Sequence, residues 1–291
     1  MILLDVIAHH IAEMTARRFE IAETRSIGGG CINQAMRISD GATSYFVKIN
    51  QADRLDMFEA EADALAELAA VAAVRVPGPV CSGEAEGQSY LVLEYLNLSG
   101  RANMDVLGRQ LAAMHRHTSA QYGWWRSNTI GATPQKNDQH PDWIHFWRQH
   151  RLGYQLQLAA SQGYGGELQR LGTQLLERMP ALFDRYQPPA SLLHGDLWGG
   201  NAAGLADGTP VMFDPALYYG DRETDMAMTE LFGGFGGRFY AAYHETWPLD
   251  AGYATRKTFY NLYHILNHLN MFGGGYQGQA VDMLRRILAE I

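Results

Sequence analysis

The chain has 291 residues, 47% hydrophobic and 11% aromatic, enough apolar material to pack one large domain or two modest ones and too much for a disordered chain. Lys and Arg number 23 against 31 Asp and Glu, a net charge of −8, and no basic run exceeds Arg17-Arg18, so no nucleic-acid footprint is visible. The opening Met1-Ile2-Leu3-Leu4-Asp5 lacks a leader's basic region, no apolar run reaches bilayer length, and Cys31 and Cys81 cannot build a disulfide framework; the expectation is a soluble, cytoplasmic protein without membrane partners.

Residues 2–18 carry Leu4, Ile7, Ile11 and Met14 at helical period, which predicts an amphipathic first helix. Ile21 to Ile27 reads as a strand, Gly28-Gly29-Gly30-Cys31-Ile32-Asn33 as a tight glycine turn, and Ala35 to Ile38 as the returning strand. Three glycines let main-chain N–H groups approach a phosphate, although such a run between strands is more often just a hairpin. Ser44 to Ile49 is a further strand bearing Lys48.

From Asp53 to Val71 the residues Leu55, Phe58, Leu65, Leu68 and Ala69 form one helical stripe, with Asp56, Glu59, Asp63 and Glu67 opposite. Glu61 breaks this separation by falling between Phe58 and Leu68, where an unpaired carboxylate is costly. It requires a cationic partner, and Lys48 is the nearest candidate. A strand lysine paired to a helix glutamate is how kinase-type folds hold a lysine against nucleotide phosphates.

Val76-Pro77-Gly78-Pro79 closes the helical region, and Tyr90 to Leu96 is a buried-looking strand after the turn Glu86-Gly87-Gln88. Asn97 to Arg101 has linker character, so the boundary is placed between an N-terminal lobe, 1–97, and a C-terminal lobe, 98–291. In this layout the backbone of Glu94 to Leu96 meets an adenine edge. Met104 to His117 is a helix striped by Leu107, Leu111 and Met114, its His115 read as packed or capping. An aromatic loop, Trp124 to Gly131, precedes helices starting at Asp142 and spanning Gly165 to Met179, the latter ended by Pro180. Whether the tryptophans are core, interface or cleft residues stays open at this level.

The stretch Leu193-His194-Gly195-Asp196-Leu197-Trp198-Gly199-Gly200-Asn201 organises what remains, with Phe213-Asp214-Pro215 following a hairpin whose turn is Asp207-Gly208. An Asp, an amide five residues on and a second Asp beyond the hairpin are the groups that phosphoryl transfer needs. Asp196 can take a hydroxyl proton, while Asn201 and Asp214 offer hard oxygens to magnesium. Any one of these residues is ordinary in a turn. Together, after the glycine turn, Lys48 and Glu61, they stand in kinase order.

The run from Leu193 to Asn201, then Val211-Met212-Phe213-Asp214-Pro215-Ala216-Leu217-Tyr218-Tyr219-Gly220-Asp221-Arg222-Glu223-Thr224-Asp225, resembles the fructosamine kinase (ketosamine 3-kinase) family. The resemblance extends to residues 29–33, 91–96 and 261–270, nearly the whole chain; the Trp198 loop and the Asp-Pro-Ala-x-Tyr-Tyr-Gly run are its specific parts. It implies an α+β, two-lobed protein-kinase-like fold, with a small antiparallel sheet and one key helix in the N-terminal lobe and a mostly helical C-terminal lobe. It further implies transfer of the γ-phosphate of ATP, with Mg2+, to the 3-hydroxyl of a ketosamine, as in deglycation. Asp196 is then the base, Asn201 and Asp214 the metal ligands, and Gly28, Gly29, Gly30, Lys48, Glu61, Glu94 and Leu96 the nucleotide-binding set. Asp225 matches a carboxylate that braces the catalytic loop. Gly195, where protein kinases have Arg, favours a small-molecule acceptor.

For the acceptor, Trp198 is placed either to stack on a sugar face or to pack beneath the loop, and Asp221 and Arg222 are read as exposed residues able to bond hydroxyls. His264 and His268 share a helix face; without a third ligand the zinc motif is incomplete, and a polar wall of the acceptor cleft or simple packing is preferred. Cys31 is either an accessible, redox-sensitive thiol or a buried inert one. Other readings are an aminoglycoside- or choline-type kinase, a non-catalytic nucleotide-binding module and a metal-dependent hydrolase. The ketose, the amine and the oligomeric state are not legible.

Overall fold

A computed structural model describes residues 2–28 and 32–291. The chain forms two compact units, Met1–Asn103 with Ala202–Pro215, and Met104–Asn201 with Ala216–Ile291. The linear division expected at residue 97 does not anticipate the hairpin after Asn201, which belongs to the first unit.

That unit holds α1 (Leu3–Thr15), β1 (Glu23–Ile27), β2 (Gln34–Ser39), β3 (Ser44–Gln51), α2 (Leu55–Val71), β4 (Pro79–Ala85) and β5 (Gln88–Glu94). The strands make one antiparallel sheet in the order β1-β2-β3-β5-β4. Val47 and Ile49 of β3 point to one face, where they join Ile7 and Ile11 of α1 and Val92 of β5 in a core. Lys48, between them, points to the other face. Met14, in the last turn of α1, is exposed, and Leu3 takes a place in the core. In α2 Phe58, Leu65 and Leu68 are buried as read, whereas Leu55 is half-buried and Ala69 exposed. The edge strand β4 lies where the sequence offered only a helix stop; its leading Pro79 and a register shift before Cys81 hide the alternation.

The second unit is mainly helical, with α3 (Met104–His115), α4 (Trp143–Trp147), α5 (Gly153–Ser161), α6 (Glu167–Arg178), α7 (Glu223–Leu231), α8 (Gly237–Thr246), α9 (Tyr253–Phe272) and α10 (Gln277–Glu290). Asp142 caps α4 by accepting from the His145 N–H at 2.6 Å, and a π turn at Arg148–Leu152 leads into α5. Trp124, Trp143 and Trp147 are core residues, while Trp125 and Trp198 are exposed. The buried strand β9 (Ala190–Leu193) lies between β6 (Thr118–Ser119) and β12 (Tyr218–Gly220), and a further hairpin pairs β7 (Asn128–Ile130) with β8 (Thr133–Gln135). Strand β9 delivers the chain into His194. In the first unit the hairpin pairs β10 (Ala202–Gly204) with β11 (Pro210–Met212). No helix among the described residues is long and apolar enough to cross a membrane.

Candidate active site

In the first unit, Lys48 Nζ donates to Glu61 Oε1 at 2.6 Å and to Asp214 Oδ1 at 2.7 Å. The lysine and glutamate side chains are nearly buried, whereas Asp214 is about half exposed. Burial works against the Lys48 ammonium, but the charges of Asp214 and Glu61 outweigh it and hold its pKa above the ordinary lysine range. Glu61 thus has the cationic partner that its place on the apolar face of α2 requires. Asp214 is reached because the hairpin is stitched to its own unit: Gly100 N–H donates to the Gly204 carbonyl at 3.0 Å and Met212 N–H to the Arg75 carbonyl at 3.0 Å. Its φ of +57° is a left-handed conformation that Asp tolerates better than most residues and that gathers at functional sites.

Gly28 is exposed, while Gly29, Gly30 and Cys31 lie outside the described residues. Asn50, which the sequence did not single out, donates from Nδ2 to Asn33 Oδ1 at 2.6 Å and ties the residue just before β2 to β3. The Glu94 N–H donates to the Gly78 carbonyl at 2.8 Å, and its carboxylate accepts from Arg75 and from Gly78 N–H. Glu94 therefore braces residues 75–78, and its amide is not free to meet a ligand. Leu96 is half-buried.

In the second unit the loop after β9 is held from beneath by Asp225 on α7. This fully buried carboxylate accepts from His194 N–H at 2.7 Å through Oδ2 and from Gly195 N–H at 2.8 Å through Oδ1. His115, buried on α3, bridges Asp225 Oδ2 at 3.2 Å and the Tyr243 hydroxyl at 2.8 Å, so it is a packed residue rather than a surface cap. Burial raises the cost of the Asp225 charge, but the His115 bond and the main-chain N–H outweigh it and hold its pKa below the usual carboxylate range.

Gly195 has φ +84°, and a Cβ there would lie 2.0 Å from the Ala216 carbonyl oxygen. Only glycine fits, which gives the residue between His194 and Asp196 a backbone reason independent of the acceptor. Asp196 is half-buried, and Asn201 Nδ2 donates to its carbonyl at 2.9 Å and its Oδ2 at 3.2 Å.

The expected sugar contacts divide. Asp221 and Arg222 are corrected: both are buried, not exposed. Asp221 accepts from the Tyr186 hydroxyl at 2.9 Å, the Tyr260 hydroxyl at 2.5 Å and Glu223 N–H at 2.9 Å. Arg222 donates to the Tyr243 hydroxyl and to the Trp247 and Pro248 carbonyls while stacking on the Trp247 ring at 3.9 Å. Their charges mislead because buried polar groups with full partners look like surface residues in a sequence. His264 is buried, and burial with the neighbouring His268 lowers its pKa to about 3. Trp198 is exposed and His268 half-buried, and Phe232, missed from sequence, sits between their rings.

The family model described as fructosamine kinase matches residues 3–290. The chain belongs to the fructosamine kinase family. A "Probable ketoamine kinase" of Synechocystis is 51% identical over 98% of this chain and 96% of its own, and a chloroplastic protein-ribulosamine 3-kinase of Arabidopsis thaliana is 43% identical over 91% and 82%. A solved structure assigned as a fructosamine-3-kinase of Haemophilus somnus superposes with a TM-score of 0.89 at 32% identity, covering 97% of this chain and 96% of that one. A choline kinase of Streptococcus pneumoniae, at 13% identity and a TM-score of 0.62 over 99% of each chain, shares the fold. The fructosamine kinase fold is thus the α+β, protein-kinase-like one expected.

Proposed function

We propose that this fructosamine kinase family member transfers the γ-phosphoryl group of ATP to the 3-hydroxyl of a ketosamine, in the cytoplasm. The observation that carries the reading is the Lys48–Glu61–Asp214 cluster, a buried cation held between two carboxylates of which one stays half exposed. A purely structural ion pair needs no third, solvent-facing partner.

The residues fit a magnesium nucleotide. Both Asn201 contacts to Asp196 come from Nδ2, which leaves Asn201 Oδ1 as a hard oxygen donor, and Asp214 keeps Oδ2 beyond the Oδ1 that Lys48 holds. Asn201 and Asp214 would hold the ion, and Lys48 the phosphates. The glycine turn and the main chain near Leu96 would seat the nucleotide, with Gly28, Gly29 and Gly30 as the phosphate-facing residues. When bound, magnesium neutralises charge on the phosphates. Asp196 accepts the proton of the acceptor hydroxyl. Its position is set from two sides, by the Asp225 brace on the preceding main chain and by the Asn201 amide, so little reorganisation remains for the reaction.

Coupled ADP release from ketosamines of different sugar length, beside aminoglycosides and choline, tests the proposal. Ketosamines are expected to be the acceptors used, and Asp196→Asn to lose about 10²–10⁴-fold in turnover with an unchanged melting temperature. Near-wild-type turnover by that folded variant would remove Asp196 as the base, and turnover of aminoglycosides or choline alone would move the acceptor class.

A further inference from the structure

Aromatic side chains gather around His268. Its ring lies 5.1 Å from Phe232, 5.5 Å from Phe272 and 5.2 Å from Tyr276, and Phe232 meets the Trp198 ring edge-on at 6.2 Å. Three of these rings are unusually open, Trp198 at 39%, Phe232 at 38% and Phe272 at 56% exposure. Residues from the catalytic loop, the end of α7 and the end of α9 thus share one apolar surface that the fold does not cover. It adjoins the proposed base: Trp198 N–H donates to the Asp196 carbonyl at 3.2 Å, and the indole lies so close over Gly200 that a Cβ there would be 2.3 Å from the ring.

The cluster is built mainly of aromatic rings. His268 Nδ1 lies 2.8 Å from the His264 carbonyl oxygen, which can only accept, so the ring is anchored by an Nδ1–H donated to its own helix. The other members offer aromatic faces, whose quadrupoles are negative. Exposed ring faces of this kind attract a cation and repel a phosphate or carboxylate.

We infer that Phe232, Phe272, Tyr276 and His268, with Trp198, hold the positively charged amine nitrogen of the acceptor and select for it. The inference rests on the ketosamine reading. In a ketosamine the nitrogen is separated from the 3-hydroxyl oxygen only by C1, C2 and C3, so an acceptor whose hydroxyl meets Asp196 carries its nitrogen close by. A cluster beginning two residues from the base is placed to meet it. The sugar is then common to many acceptors, and the charged nitrogen is what marks this class.

The test compares a 1-deoxy-1-alkylaminofructose with the 1-O-alkylfructose of the same shape, which has no charge, by ADP release on wild type, Phe232→Leu and Phe232→Tyr. Wild type is expected to prefer the amine through KM. Phe232→Leu raises KM for the amine about three- to tenfold, with kcat within twofold and the ether unaffected. Phe232→Tyr keeps the ring and the preference. Equal use of amine and ether by wild type, or an equal loss on both in Phe232→Leu, overturns the amine box while leaving the ketosamine reading in place. Wild type inert toward both acceptors overturns that reading and the box with it.

Discussion

Asp225 Oδ1 accepts the Gly195 N–H at 2.8 Å, so a carboxylate on α7 fixes the main chain one residue before the proposed base. Replacing it by Ala leaves the N–H groups of Gly195 and His194 buried without that acceptor. Asp225→Ala is expected to lose about 2–5 kcal/mol of stability. Asp225→Asn, which keeps one acceptor oxygen, should lose less. Denaturant titration of both variants measures the difference, and equal losses would argue against the brace.

Gly195→Ala tests the same loop from its other side. The added methyl meets the Ala216 carbonyl at 2.0 Å in a backbone conformation that L-residues avoid. A cost of roughly 2–4 kcal/mol is expected, together with a fall in kcat as the loop shifts. A variant with wild-type melting and turnover would show that the loop relaxes freely.

Lys48→Met keeps the apolar stem and removes the charge between Glu61 and Asp214. The expected result is a drop of about 10²–10³-fold in kcat with the fold retained. Lys48→Arg is not expected to rescue it, because a planar fork cannot occupy the place of a compact ammonium. Single-turnover kinetics with far-ultraviolet circular dichroism reads both.

Asp221→Ala separates structure from substrate contact. It removes the acceptor for the Tyr186 and Tyr260 hydroxyls and for Glu223 N–H, so a stability loss of about 3 kcal/mol or more is expected. The KM for the acceptor should stay within twofold in the folded enzyme. A raised KM without a change in melting would restore the sugar-contact role.

The acid limb of stability should carry a histidine signature. His264 has a folded pKa of about 3 against an ordinary 6.5. Above pH 6.5 it is neutral folded or unfolded, and its contribution is fully present. Between 6.5 and 3 the unfolded chain takes up a proton that the folded chain refuses, so stability falls by about 1.4 kcal/mol per pH unit. Burial lowers the His115 pKa as well, which adds in the same direction. Urea titrations from pH 7.5 to 4.5 should show His264→Gln with a shallower acid slope than wild type, and parallel slopes would refute the assignment.

What the sequence by itself determined were features written in local periodicity and spacing. The phase of α2 placed Glu61 on an apolar face and required a cation. The strand carrying Lys48 and the Asp196–Asn201 interval were legible for the same reason, since each depends on neighbours within a turn or a hairpin. Tertiary structure alone decided partners distant in sequence. It gave Asp214 to Lys48 across 166 positions and joined Phe232 to His268. It also reversed Asp221 and Arg222 from surface to interior. A charged side chain has the same local pattern whether water or buried hydroxyls solvate it, and only the folded packing supplies the hydroxyls.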